Sequence, residues 1–296
     1  MKTYQWIKVT AVLLLGLILN VNAEPLWSNK KSGGDDWLLG TIHLGDDSLS
    51  TLPSSIKMAI DSVDIVIIET DLSLVSPSDQ QRILMQYATL PAGFTLKQSL
   101  SEPVYKQAQQ YFANYGVNIE QFSNFKPWLV ALSMVQMSYA KLGLNAENGI
   151  DNQVQKYALQ QGKKVVGLET YHQQINFFNQ IIEQFPEVTN DDLILDTLSE
   201  IKHFSDLPQV MITAWHNGDM QVFEKIYRDT LGTSKFDAAA EQILLINRNH
   251  NWVTELEPVL NQQKVFVAVG TLHFVGDKGL PLLLKDKFEL TAPNGY

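Results

Sequence analysis

The chain has 296 residues, a formal net charge of −10 and no cysteine. The acidic balance argues against nucleic acid as a partner, because phosphate binding depends on clustered Lys and Arg. The absence of cysteine excludes disulfide bonds and thiolate metal ligands, so the stability of the fold must come from its core. The length is enough for one large core, and we expect a single domain.

The first residues predict a secretory signal peptide over 1–23. Lys2 and Lys8 give a basic start, residues 11–21 form an uncharged apolar stretch, and Val21-Asn22-Ala23 has small residues spaced for signal peptidase. Cleavage would leave residues 24–296, with the net charge changed from −10 to −12 by the loss of two lysines. We expect a periplasmic or secreted protein that does not bind membranes after cleavage. An uncleaved anchor is the alternative, although the stretch is short for a membrane span.

The first predicted strand, residues 37–39, is followed by Gly40-Thr41-Ile42-His43. A short helix from Leu52 to Asp61 comes next. The apolar run 64–70 then predicts a second buried strand with Glu69 at its C-terminal end. This spacing fits two parallel strands joined by a crossover helix, which puts both strand ends on one edge of the sheet. We therefore expect His43 and Glu69 to be neighbours.

Residues 77–162 have helical periodicity and predict a large helical segment, with helices at about 78–88, 101–115, 125–142 and 149–161. Such an insertion can cover the crevice at the strand ends. Residues 163–170 predict a third strand, whose Glu169-Thr170 end repeats Glu69-Thr70. Glu169 is a candidate for proton transfer, and the alternative is that it caps the next helix.

A second helical segment, about 171–262, contains Arg248-Asn249. Arg248 can clamp a substrate carboxylate or stabilise an oxyanion, and the alternative is a solvated residue or one paired with a structural acid. Asp151 and Asp219 stand at helix starts and are interpreted as caps. Four histidines lack a partner pattern and are interpreted as structural: His172, His203, His216 and His250.

The last buried strand, residues 265–271, leads into a second copy of the first tetrapeptide, Gly270-Thr271-Leu272-His273, and residues 287–291 predict an edge strand. In α/β folds ligands bind beyond the carboxyl ends of the strands, so the two copies can bring both imidazoles to one site. The alternative is two polar residues that are satisfied locally. Two histidines and Glu69 would suit Zn, Mn, Co or Fe with a position open for water, and hydrolysis is the natural chemistry of such a site.

Other common motifs are absent from the sequence. It contains no His-Glu-x-x-His, no Gly-x-Ser-x-Gly, no Walker loop and no dinucleotide fingerprint after a first strand. This argues against zincin, α/β-hydrolase and nucleotide-binding designs.

With these residues the chain resembles the TraB/GumN family, which includes the TIKI proteins. The resemblance extends over nearly the whole mature chain and rests on motifs in a fixed order: Trp37-Leu38-Leu39-Gly40-Thr41-Ile42-His43, Leu52-Pro53, Ile67-Ile68-Glu69, Gly149-Ile150-Asp151, Gly162-Lys163-Lys164, Leu168-Glu169-Thr170, Gly218-Asp219, Arg248-Asn249 and Ala268-Val269-Gly270-Thr271-Leu272-His273. It implies an α/β domain related to the erythromycin esterase and ChaN-like group, with a small, mainly parallel central sheet, strand-end Gly-x-x-His motifs and a large helical insertion. TIKI members are metal-dependent proteases that use Mn or Co.

We therefore expect an exported metal-dependent hydrolase of the TIKI-like metallopeptidase type. His43, Glu69 and His273 would bind a divalent transition metal, Mn, Co or Zn, and Glu169 and Arg248 would be catalytic. The substrate would be a peptide or a small molecule. The alternative is a non-catalytic periplasmic protein that holds haem or a peptide in the same crevice.

Overall fold

The computed structural model describes residues 24–29, 36–231, 234–260, 262–285 and 290–291. Its strands are Leu26–Asn29 (β1), Asp36–Thr41 (β2), Ile65–Thr70 (β3), Lys164–Glu169 (β4), Val265–Gly270 (β5) and Leu290–Thr291 (β6). They form one sheet in the order β4-β3-β5-β2-β1-β6. The first four strands in this order are parallel, whereas β1 is antiparallel to both β2 and β6. The expected α/β class with a mainly parallel sheet is confirmed.

The helices connect these strands in three groups. Helix α1 (Ser54–Asp61) joins β2 to β3. Between β3 and β4 lie Pro77–Ala88 (α2), Leu96–Ser99 (α3), Glu102–Ala113 (α4), Pro127–Lys141 (α5) and Ile150–Gln160 (α6). Between β4 and β5 lie Tyr171–Gln184 (α7), Asn190–His203 (α8), Leu207–His216 (α9), Met220–Thr230 (α10), Lys235–Glu241 (α11) and Asn247–Leu256 (α12), and Leu280–Leu284 (α13) follows β5. Four of the helices in the second group were predicted from periodicity to within two residues.

Two large apolar cores hold these elements together, and a smaller cluster packs α7 against α11. The first large core packs the sheet against α1, α6, α9, α10, α12 and α13, with Trp27, Trp215 and Trp252 among its largest buried side chains. The second is made of helices α2 to α5 with α7 and α8, and includes Phe112 and Trp128. The helical segments therefore have a core of their own beside the sheet.

The sequence did not indicate the order of the strands. The strands before His43 and Glu69 are parallel, as predicted, but β5 lies between them. All side chains from Val265 to Val269 in β5 are buried. An apolar strand of this kind is expected inside a parallel sheet, where both faces are covered. Strand β1 was not predicted, because four residues next to the apolar N-terminal stretch give too short a pattern.

Helix α11 continues into α12 through a π-helical turn, Gln242–Ile246. A π turn has one more residue in each hydrogen-bonded loop than an α-helix and is frequent at functional sites. The turn ends two residues before Arg248, whose side chain donates to the carbonyl of Leu244 within it.

In the part of the chain that the structure describes, no helix is long and apolar enough to cross a membrane. The predicted signal peptide, residues 1–23, lies outside the described residues. The predicted edge strand at 287–291 is described only at Leu290–Thr291, where it pairs with β1.

One hydrogen bond ties the first tetrapeptide to the helices. Trp215 Nε1 donates to the carbonyl of Gly40 at 2.7 Å, and both groups are buried. We expect Trp215→Phe to lower the free energy of unfolding by about 1–2 kcal/mol more than Trp252→Phe does, because only the former leaves a buried carbonyl unpaired. Trp252 is a matched control, since it is 1% exposed and its Nε1 has no partner among the described residues. Urea unfolding of both variants measures the difference, and equal losses would contradict the prediction.

Candidate active site

The strand β5 ends in a glycine, Gly270, which leaves open the space where three candidate ligands meet. A Cβ atom placed on Gly270 would lie 3.3 Å from Glu69 Oε1, 3.6 Å from His273 Cδ2 and 3.8 Å from His43 Nε2. Glu69 Oε1 also accepts a 2.8 Å hydrogen bond from the N–H of Gly270. Any larger residue at the end of this central strand would enter the space between the three side chains. The structure therefore brings His43, Glu69 and His273 together over β5.

The guanidinium of Arg248 is buried beside this point, with all five of its N–H donors paired. Nε and Nη2 donate to the two carboxylate oxygens of Glu169, each at 2.8 Å, and Nη2 also donates to Glu69 Oε2 at 2.6 Å. Nη1 donates to the carbonyl of Leu244 at 3.1 Å and lies 3.3 Å from His273 Nε2. Arg248 thus pairs with buried acids, and in this arrangement every N–H donor has a partner within the protein.

Neighbours of Arg248 on its own helix fix its position. Leu244, whose carbonyl accepts from Nη1, belongs to the π turn. One turn after Arg248, the ring of Trp252 lies with its centroid 4.6 Å from the guanidinium carbon, and Phe177 of α7 lies at 5.3 Å. These cation–π contacts add attraction for the charge within the buried site.

Each histidine is held through its Nδ1 atom. His273 Nδ1 donates to Asn249 Oδ1 at 2.7 Å, since the Asn249 amide nitrogen donates to the carbonyls of His273 and Lys278. His43 Nδ1 lies 3.1 Å from Asp151 Oδ2. These assignments follow from the hydrogen-bond network and leave Nε2 of both rings facing the site.

The structure corrects the interpretation of Asp151. Gly149 is the N-cap of α6, and the side chain of Asp151, in the first turn, contacts His43 and makes no cap hydrogen bond. The N–H of Ile150 donates to the carbonyl of Ile42 at 2.9 Å. A Cβ atom on Gly149 would lie only 2.3 Å from the carbonyl oxygen of His43. The start of α6 therefore packs against the first tetrapeptide. In the sequence, the motif Gly149-Ile150-Asp151 was the feature that marked this contact.

The capping alternative for Glu169 is wrong. Thr170 caps α7: its side chain accepts from the N–H of Gln173, and the Gln173 side chain accepts from the N–H of Thr170. The side chain of Glu169 is 6% exposed and faces Arg248. It does not line the cavity described below. The role of Glu169 in proton transfer stays a prediction. For Asp219 the capping interpretation is confirmed, because its side chain accepts from the N–H of Val222.

The charges in the site shift several pKa values. Burial opposes ionisation of Glu69, but Arg248 and the two histidines hold the pKa of its carboxyl well below the usual range. Burial and the nearby Arg248 lower the pKa of His273 to about 3, so this ring is neutral. The cavity walls around His43 oppose its charge, but Asp151 and Glu69 outweigh them and raise its pKa to about 9. Burial raises the pKa of Glu169.

The residues fit a divalent cation in kind and in charge. Two Nε2 atoms and a carboxylate oxygen are suitable ligands, and His273 Nε2 and Glu69 Oε1 are 4.0 Å apart, within reach of one ion. In the described part of the chain, however, no group of three or more His, Asp and Glu side chains has the geometry of a metal site. Arg248 contacts two of the three expected ligands directly. The metal-binding role of His43, Glu69 and His273 stays a prediction.

A cavity of about 680 Å³ extends from these side chains toward the helices. His43, Glu69, Arg248 and His273 form its polar end. Its other walls come from α5, α7, α9 and the π turn, so it lies between the two apolar cores. A cavity of this size suits a small-molecule ligand or part of a larger substrate.

The sequence model of the TraB/PrgY/gumN family matches residues 25–291. The chain belongs to the TraB/PrgY/gumN family. It is 31% identical over 248 residues to the uncharacterized protein YbaP of Escherichia coli strain K12, which is 84% of this chain and 87% of YbaP. The YbaP protein of Shigella flexneri matches with the same figures. No solved structure matches the chain. The names of these relatives state no activity, so membership of the TraB/PrgY/gumN family assigns no reaction to the site.

The buried ion pairs of this TraB/PrgY/gumN protein give a test by stability. We expect Arg248→Met to lower the free energy of unfolding by about 3–5 kcal/mol at neutral pH, because two buried carboxylates lose their partner. The pKa of Glu69 is depressed in the folded protein, so its stabilising contribution is present above its unfolded pKa and is lost as the pH falls. The difference in the free energy of unfolding between wild type and Arg248→Met should therefore shrink below about pH 4, where Glu is protonated in the unfolded chain.

Urea unfolding with EDTA at neutral and acidic pH measures this effect. Arg82→Met is the matched control, because Arg82 pairs with Asp79 on the surface and its side chain is 64% exposed. We expect that change to cost less than about 0.5 kcal/mol. A deficit for Arg248→Met that is as small as the control, or that grows on acidification, would contradict the assignment of Arg248 as the partner of ionised carboxylates.

Proposed function

We propose that this protein is an exported metal-dependent hydrolase of the metallopeptidase type, with His43, Glu69 and His273 as ligands of Mn, Co or Zn. The observation that carries the proposal is the meeting of these three side chains beside Gly270, at the polar end of a cavity. Two imidazoles and a carboxylate are common ligands of catalytic ions in hydrolases. We propose also that the fold is related to the erythromycin esterase and ChaN-like group.

The charge of the site supports a bound cation. The carboxylates of Glu69, Glu169 and Asp151 stand against the single guanidinium of Arg248, which leaves a formal balance of −2 once His43 has lost its proton and both imidazoles are neutral. A divalent ion would neutralise this charge. The raised pKa of His43 has the same origin, so the ion and the proton would compete for its Nε2 atom.

The two acceptors behind the histidines also support the proposal. Asn249 and Asp151 occupy the Nδ1 atoms and leave each Nε2 available on the side of the cavity. Metal-binding histidines in general are oriented by such hydrogen bonds to carboxylate or carbonyl oxygens. When bound, the ion would lower the pKa of a water molecule and polarise a carbonyl group.

The remaining steps belong to the side chains of the protein. In amide hydrolysis the water oxygen bonds to the carbonyl carbon, the C–N bond breaks, and a proton of the water passes to the leaving nitrogen. We assign this proton transfer to Glu169, because burial raises the pKa of its carboxyl toward that of a group that takes and returns a proton. Since this carboxylate pairs with Arg248 and does not line the cavity, a water molecule would have to carry the proton between them. When His273 Nε2 has another partner, an N–H of Arg248 Nη1 becomes available to the carbonyl oxygen.

A second candidate function is a periplasmic protein that binds haem or a peptide without cleaving it. The apolar walls of the cavity favour this candidate. It differs from the hydrolase in needing no proton-transfer group, so variants of Glu169 separate the two.

We expect His273→Ala to lower the affinity for Mn at least about a hundredfold and to abolish metal-dependent hydrolysis, because it removes a ligand. Asn249→Ala keeps the ligand but removes the acceptor behind it and two hydrogen bonds to backbone carbonyls, and it should lower the affinity about 10- to 100-fold. Titration calorimetry with Mn and a peptide-library cleavage assay measure the two effects. His250→Ala is the control, since His250 lies next to Asn249 on α12, is exposed and does not line the cavity.

Glu169→Gln completes this series. If Glu169 carries the proton, this variant should bind Mn as tightly as wild type and lose about a hundredfold or more in rate. Full activity of His273→Ala would overturn the metal-dependent hydrolase. Metal binding and peptide binding without cleavage in wild type would favour the binding protein.

Export is a separate part of the proposal. We expect N-terminal mass analysis of the protein from the periplasm or the medium to find Glu24 as the first residue, because cleavage after Ala23 follows the small-residue rule. Intact protein in the membrane fraction would instead support an uncleaved anchor.

A further inference from the structure

The cavity next to the candidate site is polar at one end only. Beyond that end its walls are the apolar side chains of four helical segments, among them Leu132, Phe177, Phe178, Met211, Leu244 and Leu245. Each of these six side chains is only partly buried. They line the cavity, so part of their apolar surface is accessible from inside the protein. Exposed apolar surface costs free energy that an apolar ligand would recover.

Few polar groups interrupt these walls. Thr41, Thr271 and Gln174, which donates to Glu69, lie at the polar end, and among the described residues of the remaining lining only Gln136 and Tyr139 have polar side chains. The acidic and basic side chains that line the cavity in the described part of the chain are Glu69, Arg248, His43 and His273. A charged or strongly hydrated ligand would therefore lose water without gaining partners in this part of the cavity.

The backbone around the apolar part of the cavity argues against an extended peptide as the occupant of that part. The strands that end at the site, β2, β3 and β5, are each paired on both sides. The helices that line the cavity use their backbone groups internally. An extended peptide drawn into it would leave its own N–H and C=O groups unpaired, at a cost of about 1–3 kcal/mol each. Sites that bind an extended peptide by strand addition offer a free strand edge instead. An alkyl chain has no such groups.

We propose that the cavity binds the alkyl chain of an acyl ester or acyl amide, and that the carbonyl of this acyl group lies at the polar end beside His43 and His273. The reaction of such a substrate rests on the proposed hydrolase function. In an ester, the water oxygen bonds to the carbonyl carbon, the bond to the alcohol oxygen breaks, and a proton of the water passes to that oxygen. The products are a long-chain acid and an alcohol.

Binding of the chain can be tested without any reaction. The probe is dansyl-labelled undecanoic acid, added to the processed protein after metal removal by chelation. We expect the probe to bind saturably. Fatty acids should displace it, and their affinity should rise roughly tenfold for each added pair of methylene groups from octanoate to dodecanoate. A leucine-rich peptide should not displace the probe. Absence of saturable binding, displacement that does not depend on chain length, or better displacement by the peptide would overturn the proposal.

Variants on helix α9 locate the bound chain. Met211→Trp would shorten the cavity, and we expect it to weaken dodecanoate at least tenfold and octanoate less. Val210→Trp is the matched control, since Val210 is the preceding residue, is exposed and does not line the cavity. Should Met211→Trp fail to fold, Leu132→Gln on α5 takes its place and should weaken all chain lengths. Equal effects of the cavity and control variants would overturn the proposal.

Hydrolysis of p-nitrophenyl esters with Mn separates this inference from the proposed function. Octanoate and dodecanoate esters should have a KM at least tenfold below that of the acetate ester. Hydrolysis of all three with equal KM would overturn the alkyl-chain site and leave the hydrolase in place. Chain-dependent binding with no hydrolysis of any ester would support the alkyl-chain site and count against the hydrolase.

Discussion

The buried guanidinium of Arg248 is the interaction on which the rest of the site depends. It joins Glu69 at the end of β3, Glu169 at the end of β4 and His273 after β5, and these residues are distant in sequence. Either carboxylate alone would be costly to bury, and a buried arginine without them would be too. The strand ends and the long helix of Arg248 must therefore form together, which couples the shape of the sheet edge to that of the helical walls.

The second constraint is the central position of β5. Since this strand separates those that carry His43 and Glu69, the two side chains can meet only above its end. The absence of a side chain at Gly270 makes room for them, and the N–H of the same residue holds Glu69. The duplicated tetrapeptide thus has a physical reason: each copy ends a strand and then turns a histidine back over the sheet.

The sequence predicted those parts of the molecule that depend on local pattern. Buried strands appeared as apolar runs, most helices as periodicity, and the residues at the strand ends as polar interruptions. Strand order was out of reach, because apolar runs indicate burial but not which strands pair. Asp151 was assigned to capping, since an acid at a helix start usually has that role, and only the approach of α6 to His43 gives it another. Asn249 belonged to the motif Arg248-Asn249, but nothing in the sequence indicated that it accepts a hydrogen bond from His273.

The π turn before Arg248 decides where its helix can change in length. A π turn contains one residue more than the α-helical path would need, so loss of a single residue from Gln242–Ile246 would return the segment to a regular helix, at no cost in backbone hydrogen bonds. Arg248, Asn249 and Trp252 would then keep their direction relative to α11. Loss of a residue from α11 itself would instead rotate α11 by about 100° relative to these side chains. The turn is therefore the part of this helix in which a change of length leaves the buried cation and the support of His273 in place.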